Sequence, residues 1–161
     1  ISVPHLDAFA RVLADTESCQ PASSAYFDVF TQPDSEDGFL ANDAAGLRGI
    51  YAGIEADAIE EFMRVLGTKP ALGSALNWYR ANIENRQPTA PALGNIAVPT
   101  MFVWSDGDTA LCRDGAEITG EYVDGPYRFE ILEGINHWIP DMAPDQLNAL
   151  LLDHIGQYSE R

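Results

Sequence analysis

Residues 98–108 read VPTMFVWSDGD, and residues 133–142 read EGINHWIPDM. In the first stretch the apolar run TMFVW follows Pro99 and ends in SDGD. The run is too short for a helix and rich in β-formers, so it predicts a buried strand closed by a turn. The second stretch overlaps the end of YRFEILE (127–133), whose alternation predicts another strand, closed at Gly134. Between them, LCRDGAEITGEYV (111–123) reads as a short helix weakened by Gly115. Pro144-Asp145 then opens a helix with Leu147, Leu150, Leu151 and Ile155 on one face. Strand, helix, strand, helix is the closing order of a doubly wound parallel sheet, which makes this an α/β protein. Two strands with both edges bare are not a stable sheet, so the remaining strands are expected from elsewhere.

Open α/β sheets place their sites at the carboxyl ends of the strands. Asp108 lies in the turn after the first predicted strand and His137 just past the second. Parallel neighbours bring both turns to one sheet edge. An aspartate accepting from a histidine Nδ1–H fixes the tautomer and steadies the imidazolium, leaving Nε2 free to act as a base. Asp106 is the rival acid, because turns favour Asp for local backbone bonding. Asp141 reads as a solvated loop residue. Trp138, beside the histidine, either lines a pocket or simply packs.

Upstream, ISV before Pro4 reads as the end of a strand, and LDAFARVLAD (6–15) shows helical spacing. Residues 16–32 are mixed, with an aromatic patch AYFDVF. Residues 33–92 look helical: PDSE is a helix-start composition, ADAIEEFMRVLG (56–67) has apolar residues at helical spacing, and ALGSALNWYRANIEN (71–85) is another helix. RQPTAPALGN (86–95) is Pro-rich, aperiodic and reads as a linker. The resulting division is a core segment (1–15), a helical cap (16–92) and a C-terminal core (93–161). His5 reads as a structural turn residue and His154 as a surface or helix-packing one.

A hydrophobic content of 46% over 161 residues supports one domain with a real core. A formal net charge of −16 repels phosphate backbones and anionic lipid, which argues against nucleic-acid and membrane-surface partners. No apolar run approaches the ~18 residues of a membrane span. The N-terminal residues do not read as a signal peptide, nor, lacking Met, as a natural start. Cys19 and Cys112 have no metal spacing; they read as two reduced thiols of a cytosolic protein, with a disulfide as the alternative.

The sequence resembles the α/β-hydrolases. Their acid follows a strand in the context V-P-T-x-x-x-x-G-x-x-D, here VPTMFVWSDGD with Ser105 in place of the Gly and Asp108 as the acid. Their histidine follows the last strand as G-x-x-H, here GINH with His137. The PH of SVPH matches the point where the family's chain leaves the core for its cap. AYFDVF and ALNWYR further resemble the two cap segments whose tyrosines hold the epoxide oxygen in soluble epoxide hydrolases, so the resemblance assigns that duty to Tyr26 and Tyr79.

The resemblance covers the whole chain but begins halfway through the family fold. The nucleophile elbow, G-x-[D/S/C]-x-G, and the HG-containing oxyanion loop are absent from these residues. What the resemblance implies is the cap and last third of the core of an epoxide hydrolase, partnered by a separate polypeptide that carries the nucleophile, and inactive alone. It implies a hydrophobic small-molecule substrate and no metal or organic cofactor. A serine esterase, another acyl or C–C hydrolase, or a haloalkane dehalogenase of the same fold is the alternative reading. A silent binding protein is a further one, against which the Asp108–His137 pair argues.

Overall fold

The computed structural model describes residues 4–84, 87–88 and 92–159. They fall into two compact units: one built from the chain's beginning, through Ser24, and its end, from Pro91, and the other from Ala25–Ala90. The predicted ISV strand lies outside the described residues.

The first unit is organised on strands β3 (Thr100–Ser105) and β4 (Tyr127–Leu132), which pair in parallel from Thr100↔Tyr127 to Ser105↔Leu132. Phe102 stacks on Phe129 at 5.5 Å. Phe102, Val103, Trp104 and Ser105 are all buried, as the predicted buried strand requires. The ladder is extended backwards by a parallel bridge between Ile96 and Val123. The connection carries helix α7 (Arg113–Ile118) and a 3-10 turn, Thr119–Tyr122.

Helix α1 (Leu6–Ala14) buries Ala8, Phe9, Val12 and Leu13 and is capped by His5, whose Nδ1 accepts from the Asp7 N–H at 3.2 Å. The His5 ring also stacks on Tyr122 at 5.0 Å, so this histidine is held on two sides. Residues 16–24, read from the sequence as the start of the cap, belong to this first unit. Their short helix α2 (Gln20–Ser23) is tied to the segment before α7, and Cys19 and Cys112 are joined as a disulfide. That pairing overturns the reduced-thiol reading. Their separation of 93 positions gave no local signal, but the fold leaves their Cα atoms 6.1 Å apart, within disulfide reach.

After α8 (Ile139–Met142) the chain ends in α9 (Pro144–Tyr158). Leu147, Leu150, Leu151 and His154 are half-buried, whereas Ile155 is 57% exposed. The inner face is therefore turned slightly from the predicted one and includes His154. Among the described residues, no helix is long and apolar enough to cross a membrane.

The second unit is mainly helical: α3 (Phe27–Phe30), α4 (Ser35–Ile50), α5 (Ala56–Leu66) and α6 (Lys69–Asn82). Helix α4 is interrupted at Ala41–Ala44, where Asn42, Asp43 and Ala44 all take left-handed backbone angles. After α6, two-residue strands β1 (Ile83–Glu84) and β2 (Gln87–Pro88) pair antiparallel inside the stretch that began as predicted helix and linker. The unit's polar brace is Arg80. Its guanidinium donates to Glu36 Oε1 at 2.8 Å, to the Gln32 carbonyl at 2.9 Å and to Ser35 Oγ at 3.1 Å.

Glu36 is buried, and the hydrogen bond from Arg80 holds its carboxyl below the usual glutamate range. A carboxylate whose folded pKa is depressed contributes stability that is complete above its unfolded pKa and lost as pH falls through the folded one. Titrating denaturant midpoints downward from the ordinary glutamate range should show that loss, with a flatter acid slope in Glu36→Gln. Parallel slopes for the two proteins would refute it.

Candidate active site

The parallel ladder does not stop where β3 and β4 end. The Asp106 N–H donates to the Leu132 carbonyl at 3.3 Å and the Gly107 N–H to the Ile135 carbonyl at 3.1 Å. The two turns are thus zipped together by backbone bonds. Gly107 has to be glycine for this: a Cβ there would sit 2.6 Å from the Ile135 carbonyl oxygen, closer than real Cβ atoms come.

Side chains complete the junction. Asp106 accepts from the Gly134 N–H at 2.6 Å. Ser105, fully buried, donates its hydroxyl to the Asn136 carbonyl at 2.9 Å. Asn136 Oδ1 in turn accepts from the Trp138 N–H at 2.9 Å, a local turn around the histidine. Ser105 is the residue that departs from the resembled motif, and sequence reasoning assigned it nothing. Its signal was that departure: a hydroxyl at the buried end of a strand must find an acceptor.

With the turns fixed, Asp108 Oδ2 lies 2.9 Å from His137 Nδ1. The other carboxylate oxygen, Oδ1, accepts from the N–H groups of Ala110 (2.8 Å) and Leu111 (2.9 Å). The carboxylate is nearly sealed, its side chain 1% exposed, while the His137 side chain is 32% exposed. A buried, fully bonded acid behind a partly open imidazole is the arrangement that holds one tautomer and leaves Nε2 for a proton from water. Asp106 meets Gly134, so it is Asp108 that faces the histidine. Trp138 packs edge-on to the His137 ring at 5.1 Å.

In the second unit, Tyr26 and Tyr79 are brought together, edge to face with centroids 6.2 Å apart. Phe30 contacts both rings, at 5.0 and 4.9 Å, and Trp78 lies 5.1 Å from Tyr79. Burial pushes the Tyr79 phenol above its ordinary pKa, so it stays protonated. Cys19, Cys112 and Asp114 cluster closely enough to be considered as metal ligands, but the two sulfurs are bonded to each other and lack the thiolate form that binds metal.

A parallel strand pair with acid and histidine turns at its carboxyl end, interrupted upstream by a helical unit, defines the C-terminal portion of an α/β-hydrolase fold. An epoxide hydrolase from Bacillus megaterium superposes with a TM-score of 0.76 at 20% identity, covering 96% of this chain and 58% of the other. Epoxide hydrolase A from Mycobacterium thermoresistibile gives 0.69 at 20% identity, with coverage of 96% and 58%. In sequence, epoxide hydrolase A of Mycobacterium tuberculosis is 29% identical over 108 residues, 66% of this chain and 33% of that protein. Human epoxide hydrolase 4 is 26% identical over 163 residues, 94% of this chain and 44% of that protein. The chain therefore spans about a third to a half of the length of these relatives. No family model matches it. The described residues have the fold of the C-terminal portion of an α/β-hydrolase, and the sequence is similar to proteins named epoxide hydrolase.

Because the turn junction rests on the approach of Gly107 to Ile135, Gly107→Ala should cost about 1–3 kcal/mol in chemical denaturation. A denaturation midpoint equal to wild type would show that the turns do not depend on that contact.

Proposed function

We propose that the whole protein is an epoxide hydrolase working through a covalent ester, and that these residues supply its proton-transfer groups. The Asp108–His137 contact carries the reading, because a base oriented by a sealed carboxylate is what hydrolysis of an ester intermediate requires. The resemblance to proteins named epoxide hydrolase over most of the chain, and the paired Tyr26 and Tyr79, support the choice of substrate.

In the proposed reaction, a carboxylate outside these residues attacks an epoxide carbon. The carbon–oxygen bond of the ring breaks, and the leaving oxygen takes a proton from a tyrosine, Tyr26 or Tyr79. His137 Nε2 then removes a proton from water, and the hydroxide adds to the ester carbonyl. Collapse breaks the acyl–oxygen bond, frees a vicinal diol and restores the carboxylate. The imidazolium releases its proton to solvent and the phenolate regains one from solvent, so epoxide and one water give diol with no net proton change. Trp138 borders the base and is assigned to the substrate pocket. The expected separate nucleophile-bearing polypeptide remains part of the proposal. Intact mass of the native protein distinguishes it from a continuous chain.

The test uses the whole protein with a hydrophobic aromatic epoxide such as styrene oxide. His137→Ala should slow turnover by roughly 10²–10⁴-fold and accumulate a protein–substrate ester visible as a mass increase. The double variant Tyr26→Phe, Tyr79→Phe should lose roughly 10²-fold or more in ester formation itself. If the tyrosine variant keeps full epoxide turnover, the epoxide assignment is wrong. A serine at the nucleophile position would move the protein to the esterase alternative.

A further inference from the structure

We infer that Gln20 is a positioning residue for the acid of the catalytic pair, acting through the segment Ala110–Cys112; the inference rests on the function proposed above. Gln20 is completely buried. Its Nε2 donates to the Ala110 carbonyl at 2.8 Å and to Ser24 Oγ at 2.9 Å, and its Oε1 accepts from the Cys112 N–H at 2.9 Å. The amide orientation is set by chemistry, since only the oxygen can meet an N–H and only the nitrogen a carbonyl.

These contacts bracket the atoms that hold Asp108. The N–H groups of Ala110 and Leu111 bind Asp108 Oδ1, while Gln20 grips the carbonyl of Ala110 and the amide of Cys112. The Leu111 carbonyl, between them, accepts from Trp104 Nε1 at 3.1 Å. Every peptide from Ala110 to Cys112 is therefore pinned from the interior, and the tilt of those peptides decides where the carboxylate lies relative to His137 Nδ1. The Cys19–Cys112 disulfide joins the same two segments through a side chain. It does not set the direction of the Ala110 carbonyl or the Cys112 N–H, which Gln20 engages directly. Gln20 itself is steadied by Ser18, whose hydroxyl accepts from the Gln20 N–H at 3.0 Å and donates to Asp114.

The acid and histidine act in the hydrolytic half of the proposed reaction and not in ring opening. A residue that positions the acid should therefore affect one step and spare the other. A residue that merely stabilises the fold has no reason to discriminate between them. The experiment is single-turnover kinetics of the whole protein with styrene oxide, following ester formation and ester decay separately by mass spectrometry. Gln20→Met keeps the side-chain length and removes the hydrogen bonds to Ala110, Cys112 and Ser24. Gln20→Glu keeps the acceptor for Cys112 and serves if the methionine variant folds poorly. Ser24→Ala removes a Gln20 contact without touching the acid segment.

Ester decay should slow by roughly 10–100-fold in Gln20→Met and in Gln20→Glu alike, with ester formation unchanged and Ser24→Ala close to wild type. Equal decay rates in wild type and both Gln20 variants would overturn the inference. So would a parallel loss in both steps, which marks a structural role. If wild type forms no ester at all, the proposed function itself fails and the inference with it, a result distinct from an ester that forms normally and decays at an unaltered rate.

Discussion

The candidate site depends on one constraint: the strand pair must continue as a zipper of turns after β3 and β4 end. Backbone bonds from Asp106 and Gly107, the Asp106 carboxylate on Gly134, and the Ser105 hydroxyl on Asn136 lock the acid turn to the histidine turn. Loops at a strand end are ordinarily the mobile part of an α/β protein. Here each has the other as its scaffold, so Asp108 and His137 meet with little conformational freedom left to lose. That order is what lets a 2.9 Å contact persist between side chains 29 positions apart.

The local parts of this arrangement were readable from the chain. A proline, an apolar run and SDGD specify a strand and its turn, and both stretches gave what they predicted. That Asp108 rather than Asp106 meets His137 was readable only through the family's register. Physics alone left both aspartates as turn formers, and the structure shows that Asp106 is one, with its partner in the other turn. The short helix α7 formed despite Gly115, for a reason outside local propensity: a Cβ at that position would lie 3.0 Å from the Val12 side chain of α1. The glycine is there to admit a neighbouring helix.

What the sequence hid is long-range. Residues 16–24 lack periodicity, so the sequence alone groups them with the cap that follows. Their placement is decided by contacts to Ala110, Cys112 and Asp114, about ninety positions away. The disulfide, open in the sequence only as the alternative to two reduced thiols, was undecided for the same reason. Gln20 in particular carries no sequence signal, since a glutamine is ordinarily a surface residue and only burial makes its three polar contacts consequential.

The proposed chemistry asks different things of the tyrosine pair and of the acid–histidine pair. A phenol serving as a proton donor must remain protonated until an alkoxide forms. A phenol at its ordinary pKa is already protonated at neutral pH, and burial shifts Tyr79 further in that direction. An alkoxide is a far stronger base than a phenolate, so the transfer remains downhill. A base that activates water needs access to it, and His137 is a third exposed while the carboxylate behind it is sealed. Donor and base therefore answer to different halves of the proposed reaction, ring opening first and hydrolysis second.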